Sequence, residues 1–167
     1  GWHYKLPYPI ERLTRMQDQR VRTIEIGFRT LAADVEADVA EPLAYEWNAQ
    51  HRMGRFERQP DESLMLTGDQ NMIEMTAVIH YNLERPDDFL FQQLNAEETL
   101  QVAAESVVQR IVNSTALDDL LTTRRRDLEQ QVQDQLNERL TKYQTGARVL
   151  QVRFQDVHPS VEVVDAF

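Results

Sequence analysis

The chain has 167 residues, 28 of them acidic against 18 basic, for a net charge of −10, and it contains no cysteine. That acid excess argues against a domain whose main work is neutralising phosphates, because nucleic-acid affinity is carried by Lys and Arg. Without cysteine there are no disulfides, thiolate zinc sites or cysteine nucleophile, and the redox compartment stays open. No stretch reaches the ~20 apolar residues of a membrane-spanning helix, and Gly1-Trp2-His3-Tyr4-Lys5 lacks the apolar region of a signal peptide.

In chain order, the first signal is aromatic. Trp2, Tyr4, Leu6, Tyr8 and Ile10 alternate around Pro7 and Pro9, which suits either a bilayer interface or an edge strand with a proline-stiffened turn. Extended chain is expected from Ile10 to Met16 and again from Arg20 to Phe28, where Ile24, Ile26 and Phe28 share a face. From Thr30 to Gln59 no period holds, and the stretch reads as a long insertion containing Trp47, His51, Met53, Arg55 and Phe56. A hairpin follows, from Ser63 to Leu83, with Gly68-Asp69-Gln70-Asn71 as its turn. Its second strand is the clearest in the chain: Ile73, Met75, Ala77, Ile79, Tyr81 and Leu83 alternate with mostly polar neighbours, Val78 alone interrupting them.

The helical half begins at Asn95, a capping residue followed by Glu97 and Glu98 and by the stripe Leu100, Ala103, Ala104, Val107, Val108 and Ile111. Asn113-Ser114-Thr115 loosens it. A second helix is expected from Leu117 to about Tyr143 on the stripe Leu117, Leu120, Leu121, Leu128, Val132, Leu136 and Leu140, with Gly146 placed to end it. Leu121, Leu128, Val132, Leu136 and Leu140 are candidates for packing against the sheet or for an oligomer seam. A returning strand runs from Arg148 to Gln155, with Leu150, Val152 and Phe154 on one face. Asp156-Val157-His158-Pro159 then reads as a turn opening a helix, which is expected to continue beyond Phe167. Strands, then two helices, then a strand describe an α+β fold: a mostly antiparallel sheet with helices on one face.

Chemistry is sparse along this chain. Ser63, Ser106, Ser114 and Ser160 sit in no nucleophile elbow, and His3, His51, His80 and His158 form no i,i+4 pair of the kind that binds zinc. The pairs Asp87-Asp88, Glu97-Glu98 and Asp118-Asp119 lie at helix starts, where the dipole accounts for them. Arg124-Arg125-Arg126 fans too widely around a helix for one phosphate clamp and reads as a solvated, salt-bridged face. Five glycines without a glycine-rich run leave no phosphate loop. No catalytic, cofactor or metal site is expected. A hydrolase built by the insertion around His51 is the competing reading from another class.

Four segments, in this order, carry a resemblance: Leu6-Pro7-Tyr8-Pro9-Ile10-Glu11, Val21-Arg22-Thr23-Ile24-Glu25-Ile26-Gly27-Phe28-Arg29, the hairpin from Glu62 to Asn71, and Gln155-Asp156-Val157-His158-Pro159. The chain resembles the SPFH or Band 7 family, named after stomatin, prohibitin, flotillin and HflK/HflC, and within it the HflK type. Two departures stand out: the stretch from Thr30 to Gln59 is longer than usual, and Ser160 stands where a second proline is expected. The resemblance implies a family domain over residues 1–158, with a strand-rich lobe to about 90, an insertion at 30–60 and a helical lobe after 91, and then the start of a longer helix at 159–167. It also implies a non-enzymatic scaffold held by a transmembrane helix before Gly1 and continued by a coiled coil after Phe167. Its partners would be copies of itself and an HflC-like paralogue in a ring or cage, the FtsH-type membrane protease that this assembly modulates, and the membrane surface, on the periplasmic side of a bacterial inner membrane. Trp2, Tyr4, Leu6 and Tyr8 would then lie at the bilayer. A stomatin-like or prohibitin-like organiser of membrane microdomains, without a protease partner, is the alternative within the family.

Overall fold

The computed structural model describes residues 20–30, 56–92, 94–122 and 124–159. Its axis is β5 (Met72–Leu83), whose inward side chains Ile73, Met75, Ala77, Ile79, Tyr81 and Leu83 are all buried, as strict alternation requires. Both edges of β5 are paired, and every pairing is antiparallel. Along one edge β1 (Arg22–Ile26) and β4 (Leu64–Leu66) lie end to end, Ile24 opposite Ile79 and Met65 opposite Ile73. Along the other runs β6 (Ala147–Pro159), from Ala147 opposite Leu83 to Pro159 opposite Ile73.

The helices cover the inward face. From α3 (Ala96–Asn113) the expected stripe from Leu100 to Ile111 is buried, and from α5 (Arg125–Lys142) Leu128, Val132, Leu136 and Leu140 join the same core as the inward residues of the sheet. Each such aliphatic side chain contributes about 1.5–3 kcal/mol on full burial. Shorter helices make the corners: α1 (Pro60–Ser63) and α2 (Pro86–Phe91) each begin with proline, whose missing N–H costs nothing in a first turn. The acidic pairs occupy the first turns of α2, α3 and α4 (Leu117–Leu121).

Several expectations are corrected. The run from Arg20 to Phe28 is interrupted at Gly27, which has φ +83 and where a Cβ would stand 2.9 Å from the Met75 carbonyl oxygen. The chain leaves the main sheet there, and β2 (Phe28–Thr30) pairs with β3 (Phe56–Arg58), so the last part of the presumed insertion is strand. Glu62 holds this junction, accepting the Gly27 N–H at 3.1 Å and the Arg29 guanidinium at 2.9 and 2.5 Å.

The returning strand differs from the expected one in length and phase. It continues through Pro159, so Asp156-Val157-His158 is strand where a turn was expected. Between Tyr81/Val149 and His80/Gln151, and again between Ala77/Phe154 and Met75/Val157, β6 carries one residue more than β5. These bulges put Val149, Val152 and Phe154 inward and turn Leu150 out, leaving it 42% exposed.

The helix expected over 117–143 is two helices. Thr122 is extended (φ −113, ψ −151), ending α4 before α5 begins. Leu120 is buried, and Leu121 faces out at 47% exposure. Finally, Gln144 ends α5 in place of Gly146. It adopts φ 54, its N–H bonds the Thr141 carbonyl at 3.1 Å, and the Thr145 N–H reaches Leu140 at 3.2 Å. Gly146 serves the next step, where its carbonyl accepts the Glu84 and Arg85 N–H groups at 2.9 and 3.0 Å. The expected strand from Ile10 to Met16, the insertion over 31–55 and the residues from 160 onward lie outside the described residues.

Candidate interaction surfaces

Where they are described, the serines and histidines singled out in the sequence sit within the packing and hydrogen bonding of the fold. Ser63 is fully buried beside Gly27, Ser106 accepts a hydrogen bond from Arg139 at 2.9 Å, and Ser114 donates to the Ile111 carbonyl at 3.0 Å. The His80 Nδ1 lies 3.3 Å from the Thr23 hydroxyl across the β1–β5 pair, and His158 stands 3.9 Å from Glu74. Among the described residues no cluster of His, Asp and Glu could hold a metal ion. His3, His51 and Ser160 lie outside them. Of the arginine triplet, Arg124 pairs with Asp119 at 2.8 Å, and Arg125 turns toward Glu129 and the backbone of β6.

A polar junction fastens the hairpin to the helices. The Gly68 N–H donates to the Thr115 carbonyl at 2.8 Å, and a Cβ at Gly68 would meet the Ser114 backbone at 3.0 Å. Asp69 sits at the start of α4, both carboxylate oxygens 3.2 Å from the Leu117 N–H. The Thr67 hydroxyl, then the Leu117 and Asn71 donors, hold its carboxyl below the usual carboxylate range. Asn113-Ser114-Thr115 is therefore the corner that ends α3, with the Thr115 hydroxyl bonded back to Ile111 at 2.6 Å.

Between α3 and α5 lies an open cleft of about 590 Å³, lined by Arg110, Gln135, Glu138, Arg139 and Lys142. Arg110 donates to Gln135 at 2.5 Å and Lys142 pairs with Glu138 at 2.7 Å. The hydrogen bond from Lys142, and then its charge, lower the Glu138 pKa. The cleft is polar and solvated, and its groups bond one another.

What the surface does offer is exposed apolar contact. Phe91 is 79% exposed and Leu94 fully so, with Leu90 beside them, at the turn between α2 and α3. On the β4–β5 hairpin Leu66 faces Met72 across the strands, both outward. The turn residues escaped sequence reasoning, although the run Phe89-Leu90-Phe91 in a short helix with room for one inward side chain was the available signal. Of the five seam candidates, Leu128, Val132, Leu136 and Leu140 are buried within the chain and Leu121 is exposed. Trp2, Tyr4, Leu6 and Tyr8 lie outside the described residues. No helix among the described residues is long and apolar enough to cross a membrane.

An antiparallel sheet with one face covered by helices, and exposed apolar side chains at Leu90, Phe91 and Leu94, is the setting for the comparison with known proteins. The SPFH domain / Band 7 family model matches residues 1–167, and the chain belongs to that family. Three curated relatives that the chain resembles bear the name HflK. It is 33% identical to protein HflK of Haemophilus influenzae over 64% of this chain and 26% of the relative. It is 28% identical to protein HflK of Treponema pallidum over 100% of this chain and 46% of the relative. It is 28% identical, over 62% of this chain and 25% of the relative, to the Escherichia coli protein named modulator of FtsH protease HflK. The chain thus spans from a quarter to just under half of these relatives.

Proposed function

We propose that this chain is the SPFH domain of an HflK-type scaffold that is anchored in a bacterial inner membrane, assembles with copies of itself and an HflC-like paralogue, and modulates an FtsH-type membrane protease without catalysing a reaction. The observation that carries this reading is the match to an HflK relative along the entire chain, together with the name of the Escherichia coli relative. In this reading Trp2, Tyr4, Leu6 and Tyr8 lie at the bilayer surface on the periplasmic side. Leu121 and the exposed Leu90, Phe91 and Leu94 are the contacts between neighbouring domains, because each is apolar surface that water alone leaves uncovered.

The test is affinity purification of the native full-length protein from its own membranes, with Phe91→Ser and Leu121→Ser variants beside it. The expected result is co-purification of the paralogue and of an FtsH-type protease in one large assembly, diminished in both variants. An assembly that forms without any protease would replace this reading with the microdomain organiser, and a protein that is monomeric in native membranes would end both.

A further inference from the structure

Among the described residues, the outer edge of β6 is met by side chains of α5 and by no neighbouring strand. Asn137 accepts the Val149 N–H at 2.8 Å and donates to the Val149 carbonyl at 3.2 Å. Gln133 donates to the Leu150 carbonyl at 3.1 Å, and Glu129 accepts the Phe154 N–H at 2.8 Å. Arg125 donates to the carbonyls of Phe154 and Gln155. All four side chains come from α5 at positions i, i+4, i+8 and i+12, one row round the helix from the buried row Leu128, Val132, Leu136 and Leu140.

The match is geometric. Four residues of helix rise about 6 Å and two residues of strand advance about 6.6–6.8 Å, so the row runs alongside the strand, Asn137 and Gln133 meeting it at Val149 and Leu150, and Glu129 and Arg125 at Phe154 and Gln155. Asn137 makes both bonds that an antiparallel neighbour would exchange with Val149. The two rows divide the labour: the apolar one is held in the core, and the polar one lies along the strand.

A strand of thirteen residues with a bare edge is a template for another strand. We propose that the polar row on α5 is a stand-in strand, and that the β6 edge it covers is a latent self-association surface whose fitting partner is the β6 strand of a second copy of this chain. The residues of β6 supply the complementarity, since an isologous antiparallel pairing would place the same backbone groups of both copies opposite one another. The inference is independent of the scaffold reading, because it concerns pairing that wild-type α5 prevents.

The test uses the full chain with R125A/E129A/Q133A/N137A, alanine being the best helix former and the buried row being untouched. The probe is a synthetic peptide of residues 147–157, with the same peptide carrying Val152→Pro as control. The expected result is that the variant binds the peptide at least about tenfold more tightly than wild type does, ignores the proline peptide, and gains a concentration-dependent species in sedimentation. A variant with wild-type circular dichroism that ignores the peptide would overturn the proposal. Should the fourfold variant fail to fold, Asn137→Ala takes its place: peptide binding above wild type supports the idea, and binding equal to wild type ends it.

Discussion

The two edges of β5 are built on opposite plans. On one side a single continuous strand, β6, covers its partner from Leu83 to Ile73 and needs α5 side chains along its outer rim. On the other, β1 and β4 share the length between them, five residues and three, and the rim of β1 is met by Gln101, which reaches the Glu25 carbonyl at 3.1 Å, and by Arg29 at 2.9 Å. Short strands broken at a glycine expose few consecutive free groups, whereas a long strand exposes many. Brevity protects the edge held by β1 and β4, and a helix protects the edge of β6.

The contrast can be broken most severely through the core that seats α5. Leu136→Ala removes a fully buried side chain and is expected to cost about 2–5 kcal/mol, read as a lower urea midpoint. Amide exchange should then quicken at Val149 and Phe154 more than at Ile24. Next comes the rim itself: Asn137→Ala unpairs two backbone groups of β6 and is expected to cost about 1–3 kcal/mol, against about 1 kcal/mol or less for Gln101→Ala on the opposite edge. Equal losses at the two sites would erase the distinction between the edges.

The smallest effect belongs to the junction beyond both edges, where Asp69 meets α4. Because hydrogen bonds hold its folded pKa below the ordinary value, its contribution is complete above the unfolded value of about 3.9 and fades as pH falls through the lower folded value. Asp69→Asn should lower the thermal midpoint at pH 7, and the difference should shrink as pH falls through the lowered folded value and the Asp69 carboxyl becomes neutral. A deficit that does not shrink as pH falls would place the effect in packing.

How much of this was legible in the sequence depends on whether one element decided its own geometry. β5 and α3 could be read because their inward residues keep a single period, two or 3.6, from end to end. The phase of β6 could not, since its bulges arise from pairing with β5 and leave no mark in its own residues beyond the outward turn of Leu150. Thr122 and Arg124 are tolerable in a helix, so the break before α5 is set by how α4 and α5 pack, not by local preference. Gln144 took the left-handed position although glycine stands two residues later, because the Leu140 and Thr141 carbonyls needed donors there. The polar row on α5 looked like an ordinary wet face. Of the surface candidates only Leu121 emerged exposed among the described residues, and Phe91 and Leu94 were found by structure alone.

The direction of the strands has a mechanical corollary. The chain enters β1 with Arg22 beside Tyr81 and leaves β6 with Pro159 beside Ile73, so the two ends of the described sheet emerge at opposite poles of β5, roughly 26 Å apart along it. Tension between those poles would slide β1 and β6 along the middle strand, loading many rungs at once instead of unzipping them singly. A body strung in that way transmits a pull from one pole to the other without first coming apart.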